Sequence, residues 1–379
     1  MAQPQRLYLD VHALQTLPPS NVNRDDTGSP KTAQFGGSIR ARVSSQAWKK
    51  AMRDEFADLL PEDLVGSRTV RAVDLISEAI KSLDSSITEE DAMKDAKAVL
   101  AATGIKVGQN GETGYLLFVS PRQVDALAQL AVSARKGDGK VDKKAAKSVL
   151  NVKENPSYTA VDLALFGRMV ADGPDLNVDA AASVAHAIGV SRADTEFDYF
   201  VGMDDLQPEE ETGATMIGTI EFLSSLLYRY ATVDIRHLYE NLGSAEVTEQ
   251  AVSAFLKAFI TSMPRGKQTT FANRTLPAAV VVELRHTQPV SLVNAFEKPV
   301  VPLGQKSERE VACDQFVDYE KTVDAAFGEA PQATYVILGA PGTSALEELP
   351  HAQVVSLEEL LKKVNVDVSA FLSSFNDQD

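Results

Sequence analysis

Between residues 31 and 53 every ionisable side chain is a cation: Lys31, Arg40, Arg42, Lys49, Lys50 and Arg53, with no aspartate or glutamate among them. Arginine forks grip phosphate oxygens, and lysines add compact positive charge. Serines with free backbone N–H groups at a helix start add fixed dipoles, and neutral amides fix register. The same stretch holds all of these parts, since Ser44, Ser45 and Gln46 sit between the arginine pair and the lysines. Alternation over 38–44 puts Arg40 and Arg42 on one face of a strand. Behind a Ser44 or Ser45 cap, Trp48, Met52, Phe56, Leu59 and Leu60 recur at helical spacing and predict a helix. Its opposite, solvent-facing side carries Gln46, Lys49, Lys50 and Arg53. Such a unit suits a phosphodiester backbone, gripped without reading its bases.

Other candidates are less specific. In Asn23-Arg24-Asp25-Asp26, adjacent carboxylates are able to hold a divalent metal or activate a 2′-hydroxyl, although Asp-Asp in a polar loop commonly makes a turn. In Phe166-Gly167-Arg168-Met169, glycine permits close approach while Arg168 and Met169 offer contacts to backbone and base. Lys140, Lys143, Lys144 and Lys147 form a lysine-rich helix face fit to track a second strand. His186 follows apolar neighbours and reads as a core or near-core histidine, and Cys313 as a packed thiol. Phosphate-loop, dinucleotide, zinc-protease and serine-hydrolase motifs are absent from the sequence. One cysteine excludes an intrachain disulfide, and the five histidines have no metal-ligand spacing, so no structural metal, cofactor or catalytic residue is expected.

The chain's 379 residues, 44% hydrophobic, are enough for a substantial core. A net charge of -16 argues by itself against a polyanionic partner, but acid is concentrated elsewhere, as in Glu209-Glu210-Glu211, Glu347-Glu348 and Glu358-Glu359. An acidic exterior with a basic groove limits indiscriminate binding. No stretch approaches the roughly 20 apolar residues that span a bilayer, and the N-terminus lacks a signal-like run, so a cytoplasmic protein without a membrane partner is expected.

Coarse periodicity reads a half-buried strand over 6–14, a long polar loop from Pro18 to Pro30, and helices through 74–150. A mostly extended stretch follows from Tyr158 to Asp234, including a long hairpin with a polar tip near Pro208. A helix near 248–262, strands near 279–285 and 335–338, and a helix near 357–364 complete an α+β chain without internal repeats.

Ordered motifs carry a resemblance. Pro18-Pro-Ser-Asn-Val-Asn-Arg-Asp-Asp, Phe35-Gly-Gly-Ser-Ile-Arg-Ala-Arg-Val-Ser-Ser-Gln and Lys49-Lys-Ala-Met-Arg resemble the N-terminal signature of CasC-type backbone subunits, RAMP-superfamily members of the type I-E CRISPR Cascade surveillance complex. Val161-Asp-Leu-Ala-Leu-Phe-Gly-Arg-Met, Ala185-His-Ala-Ile, Met203-Asp-Asp-Leu-Gln, Tyr228-Arg-Tyr-Ala, Glu240-Asn-Leu-Gly and Asn294-Ala-Phe-Glu-Lys follow in the family's order, so the likeness spans about residues 7–300.

The resemblance implies a hand-shaped α+β fold. An RRM-like (ferredoxin-like) palm would take residues 1–60 and 156–379, a helical fingers insertion residues 61–155, and a β-hairpin thumb about residues 190–228. It implies a non-enzymatic subunit that polymerises along CRISPR guide RNA and presents it for pairing with target DNA in antiviral defence. Its partners would be further copies of itself and the large, small, cap and guide-processing subunits. Carried over by position, Asn23, Arg24, Lys31, Gln46, Lys49 and Arg53 would hold guide-RNA phosphates and Met169 would wedge between bases. Lys143, Lys144 and Lys147 would handle incoming DNA. Arg40, Arg42, Ser44, Ser45 and Arg168 join the RNA site on physical grounds alone. The alternative is a metal-dependent endoribonuclease using Asp25 and Asp26, since related RNA-targeting subunits carry a catalytic aspartate in the corresponding loop. The sequence departs from the family in the fingers and at the acidic hairpin tip.

Overall fold

The computed structural model describes residues 6–137, 139–171, 173–202 and 216–376. In chain order come β1 (Tyr8–Ser20), β2 (Thr32–Phe35), β3 (Ser38–Val43), α1 (Ser45–Leu59), β4 (Ser67–Thr69), α2 (Ala72–Leu83), α3 (Glu89–Ala102), β5 (Leu117–Val119), α4 (Pro121–Lys136), α5 (Lys143–Leu150) and α6 (Val161–Phe166). The second half holds β6 (Ala182–Val184), β7 (Ala187–Gly189), β8 (Glu196–Gly202), β9 (Met216–Asp234), α7 (Ile235–Leu242), α8 (Ala245–Thr261), α9 (Gln268–Phe271), β10 (Ala279–Arg285), α10 (Glu308–Phe327), β11 (Ala333–Leu338), β12 (Ala352–Val354) and α11 (Leu357–Asn376).

One sheet organises the chain, in the order β12-β11-β10-β1-β9-β7-β3-β2, with β6 and β8 pairing other stretches of β9. Every pairing in it is antiparallel except β11 with β12. The expected α+β class is what the structure has. Leu9 and Val11 of β1, and Leu7 just before it, join a core with Met52 and Phe56 of α1, Phe255 and Phe259 of α8, and Leu360 of α11. Leu14, Tyr228, Val281 and Phe316 build a second core under α10, on the sheet's other face.

β1 is therefore buried on both faces, where the sequence predicts solvent on one. Asp10 and His12 are its polar alternates, and both lie under α10, 0% and 1% exposed. The strand also runs through Pro18-Pro19, which the sequence assigns to a loop. Its ladder with β9 continues to Leu17↔Ser225 and shifts register before Ser20↔Leu223, the kind of irregularity where a strand tolerates proline. The stretch read as mostly extended from Tyr158 includes α6, and the C-terminal helix continues well past residue 364.

A separate apolar cluster gathers Ile76, Ile80, Leu100, Leu127 and Leu150 from α2 to α5. The short ladder Ser67↔Val119, Arg68↔Phe118 and Thr69↔Leu117 lies at its base. Val170 and Leu176, from beyond the helices, belong to the same cluster. The hairpin β8–β9 leaves Phe197, Tyr199, Val201, Met216 and Ile217 exposed. Two-stranded ribbons are marginal in water unless something covers them. The acidic tip expected on this hairpin lies outside the described residues.

Candidate nucleic-acid interface

Helix α1 buries Trp48, Ala51, Met52 and Phe56 and turns its other side outward. Phe56 stacks on Phe166, ring centroids 6.1 Å apart, and Phe166 meets Phe255 at 6.4 Å, so α1 is wedged between α6 and α8. Ser44 caps the helix, its side chain accepting from the Ala47 N–H at 3.3 Å. The Ser44 N–H donates to Asn23 Oδ1 at 2.9 Å, which ties the 20s loop to the helix start. The first turn of α1 contains no acid, so no side chain offsets the positive end of its dipole. Ser45 is half-buried there, and Gln46 is exposed.

Around this helix start the cations converge. The Lys31 N–H donates to the Asn23 carbonyl and the Arg42 N–H to the Lys31 carbonyl, each at 2.9 Å. The Arg42 guanidinium lies 3.3 Å from His186 Nδ1. His186 is exposed rather than in the core, lying between β6 and β7 just before buried Ala187. Partial burial, and then the charges of Arg42, Lys31 and Lys49, hold its pKa below the ordinary value of 6.5. Those three cations and one imidazole thus share a neighbourhood. Among the described residues, Lys31, Arg42 and Lys49 enter no ion pair. Arg24 is exposed at the edge of the same surface.

From there α1 forms one wall of a groove of about 740 Å³. Gln46, Lys49, Lys50 and Arg53 line that wall, facing Arg68, Tyr115, Leu116 and the segment carrying Met169. Met169 is 82% exposed and Leu116 51%, so apolar groups stand among cations. Arg68, Leu116 and His186 are missing from the sequence-based site. Only the pairing of Arg68 with Phe118 across β4–β5 brings the first two to the groove. Arg53 departs from its expected solvent face. Its Nε donates to Asp162 Oδ2 at 3.0 Å, and its guanidinium lies 4.5 Å from the Phe118 ring centroid. Burial raises the Asp162 pKa, with Arg53 opposing that rise.

Two arginines expected on phosphate are buried. Arg40 is 0% exposed, and its guanidinium donates to the carbonyls of Gly189, Val190, Phe296 and Glu297 at 2.9–3.1 Å. The alternation of β3 is as read, but the strand's arginine face is covered at that point by two distant segments. Arg168, 5% exposed, donates to the carbonyls of Leu176, Phe118 and Leu150. Neither has direct reach to a ligand. Ser44, 6% exposed, is likewise occupied as a helix cap. On α5, Lys143 and Lys144 are exposed, whereas Lys147 pairs with Asp175 at 2.5 Å.

The Asp25-Asp26 loop uses Asp25 structurally. Its Oδ1 accepts from the Thr27 N–H, the Thr27 hydroxyl and the Ser29 N–H at 2.7–3.0 Å, and the Thr27 hydroxyl leads in lowering its pKa. Asp26 is exposed beside it. Among the described residues, those that do bring three potential metal ligands within 4.8 Å of one another are Asp10, His12 and Glu283, all buried. Sequence spacing misses them because Glu283 arrives from β10. There the Arg285 guanidinium already supplies positive charge, 2.6 Å from Glu283 and 3.6 Å from Asp10.

The fold and groove define an α+β chain with a cation-lined cleft between a sheet-packed helix and the segments around β4, β5 and Met169. The chain belongs to the CT1975-like protein family, which its sequence matches over residues 9–363. It is similar to a solved chain described as "CRISPR RNA-guided surveillance complex, pre-nicking", with 31% identity and a TM-score of 0.81 over 95% of this chain and 100% of that one. A second, described as "CRISPR RNA-guided surveillance complex", has 27% identity and a TM-score of 0.71 over 95% of this chain and 99% of that one. No curated protein matches the chain. The resemblance carried by the sequence motifs is borne out, and the family match continues past residue 300, where the motifs stop.

Proposed function

We propose that the chain is a guide-RNA-binding subunit of a CRISPR surveillance complex, one that polymerises along the RNA and presents it to target DNA without cutting either. The observation that carries this reading is the cationic surface of Lys31, Arg42 and Lys49, free of ion pairs among the described residues, around an acid-free helix start. Phosphate contacts of this kind fix register and carry no sequence information, so pairing by the guide does the reading. The exposed apolar residues of β8–β9 supply a surface for the next copy along the strand. Asp25's engagement in its own loop supports a non-catalytic role.

The test is Lys31→Glu with Lys49→Glu, assembled with partner subunits and a CRISPR array. Both side chains leave the core untouched, so a folded variant is expected to lose co-purifying RNA. Its residual affinity should show a salt slope shallower by about 1 for each phosphate that is no longer neutralised. Full RNA retention by the folded variant would overturn the assignment. Magnesium-dependent cutting of guide-paired RNA, abolished by Asp26→Ala, would replace it with the endoribonuclease.

A further inference from the structure

We infer that Arg168 is a positioning residue which, with the Lys147–Asp175 pair, clamps Met169 to helix α5 so that the wedge and the lysine helix move as one body. This rests on the guide-RNA reading above and on the base-wedge role that the family resemblance implies for Met169.

Met169 is 82% exposed, yet its neighbours Arg168 and Val170 are 5% and 2% exposed. Long flexible thioethers make poor wedges unless their backbone is fixed. Here it is fixed from both sides. Arg168 exchanges backbone hydrogen bonds with Val178 at 3.0 and 2.9 Å, and the Val170 N–H donates to Asn177 Oδ1 at 2.6 Å. Gly167, at φ +77°, lies so close to the facing segment that a Cβ would stand 2.8 Å from the Val178 carbonyl.

The guanidinium then joins this paired loop to the helical insertion. It spans the Leu176 carbonyl at 2.9 Å, Phe118 of β5 at 3.2 Å and Leu150 at the end of α5 at 2.5 Å. No carboxylate approaches it among the described residues, so its hydrogen-bonding capacity goes to geometry. At the surface, Asp175 in the same loop takes Lys147 of α5 at 2.5 Å. One buried and one exposed tie therefore connect Met169 to the helix bearing Lys143 and Lys144. An anionic strand that draws Lys147 from Asp175 would release the exposed tie and leave the buried one.

The experiment places single 2-aminopurine labels along the guide RNA of the assembled complex and reads fluorescence, which rises where a base is unstacked. Wild type should show a rise at particular positions, and Met169→Ala should remove it. Arg168→Gln should remove roughly two thirds of that rise, Arg168→Lys less, and Asp175→Asn roughly one third, with RNA still retained. A rise that persists in Met169→Ala overturns the wedge and the inference with it. A rise absent in Met169→Ala but intact in folded Arg168→Gln and Asp175→Asn overturns the clamp alone. Should Arg168→Gln not fold, a wild-type signal from the exposed Asp175→Asn variant overturns it equally.

Discussion

Buried arginines occupy two opposite settings in this molecule. Under α10, Arg285 lies among Asp10, Glu283, Glu320 and Asp324, at 2.6–3.7 Å. Arg40 and Arg168, by contrast, have only carbonyl, amide and hydroxyl oxygens among the described residues. Arg229, packed 3.6 Å from the Trp48 ring centroid under α1, has Gln15 and the Phe259 carbonyl. Burial lowers the pKa of all three, Arg168 to about 10 and Arg229 to about 9. The first setting is an excess of acid around one cation. The second leaves cations with no carboxylate partner among the described residues, and Arg229, beneath α1, adds its field to that of Lys31, Arg42 and Lys49. A chain of net charge -16 can thus attract phosphate locally.

The contrast breaks most visibly at Arg285. Arg285→Met strands buried carboxylates and is expected to cost ~3–5 kcal/mol in urea unfolding. Arg229→Met strands none, and is expected to cost about 1–3 kcal/mol. That variant should still weaken RNA binding although Arg229 is 2% exposed. Equal costs would remove the distinction.

Glu320 sharpens the acidic side. Burial and the adjoining Glu283 raise its pKa, so it keeps a proton in the fold that it releases on unfolding at neutral pH. This contribution is complete below the ordinary glutamate value of 4.5 and falls away as pH rises towards the folded pKa. Glu320→Gln holds that hydrogen permanently, and melting temperatures from pH 5 to 9 should decline less than in wild type. An unchanged slope would count against it.

The smallest effect belongs to His186. Its pKa lies below 6.5 beside three cations, and a bound phosphate would raise it. Binding therefore takes up protons, and RNA affinity should tighten as pH falls through the free-state value. His186→Gln should flatten that dependence by a few-fold at most, since one partly solvated charge is involved. Titrations at fixed salt check this.

Local signals were readable where local physics decides. Ser44, Trp48, Met52 and Phe56 announce α1 because capping and periodicity are properties of neighbours. Arg40 and Arg168 read as exposed in sequence because side-chain pattern does not show the carbonyls that cover them, as distant as Glu297 for Arg40 and drawn from Leu176, Leu150 and Phe118 for Arg168. Asp10 and His12 misled likewise, since polar alternation in β1 marks a buried ion cluster completed by β10 and α10. The bounds of α10 are not legible in the sequence, because buried Glu320 among Val317 and Val323 blurs its periodicity. His186 has apolar sequence neighbours yet is exposed, because it falls between β6 and β7 rather than within either strand.

The pairing of β1 also sets an order of synthesis. Its partners are β9 and β10, with Tyr8 opposite both Asp234 and Arg285. A ribosome adding roughly 5–20 residues per second needs on the order of tens of seconds to make that last neighbour after the first strand emerges. Meanwhile the cluster formed by α2 to α5 is complete and free to fold. The strand that becomes the centre of the sheet is the one that must wait longest uncovered, which makes its apolar run the natural client of a nascent-chain chaperone.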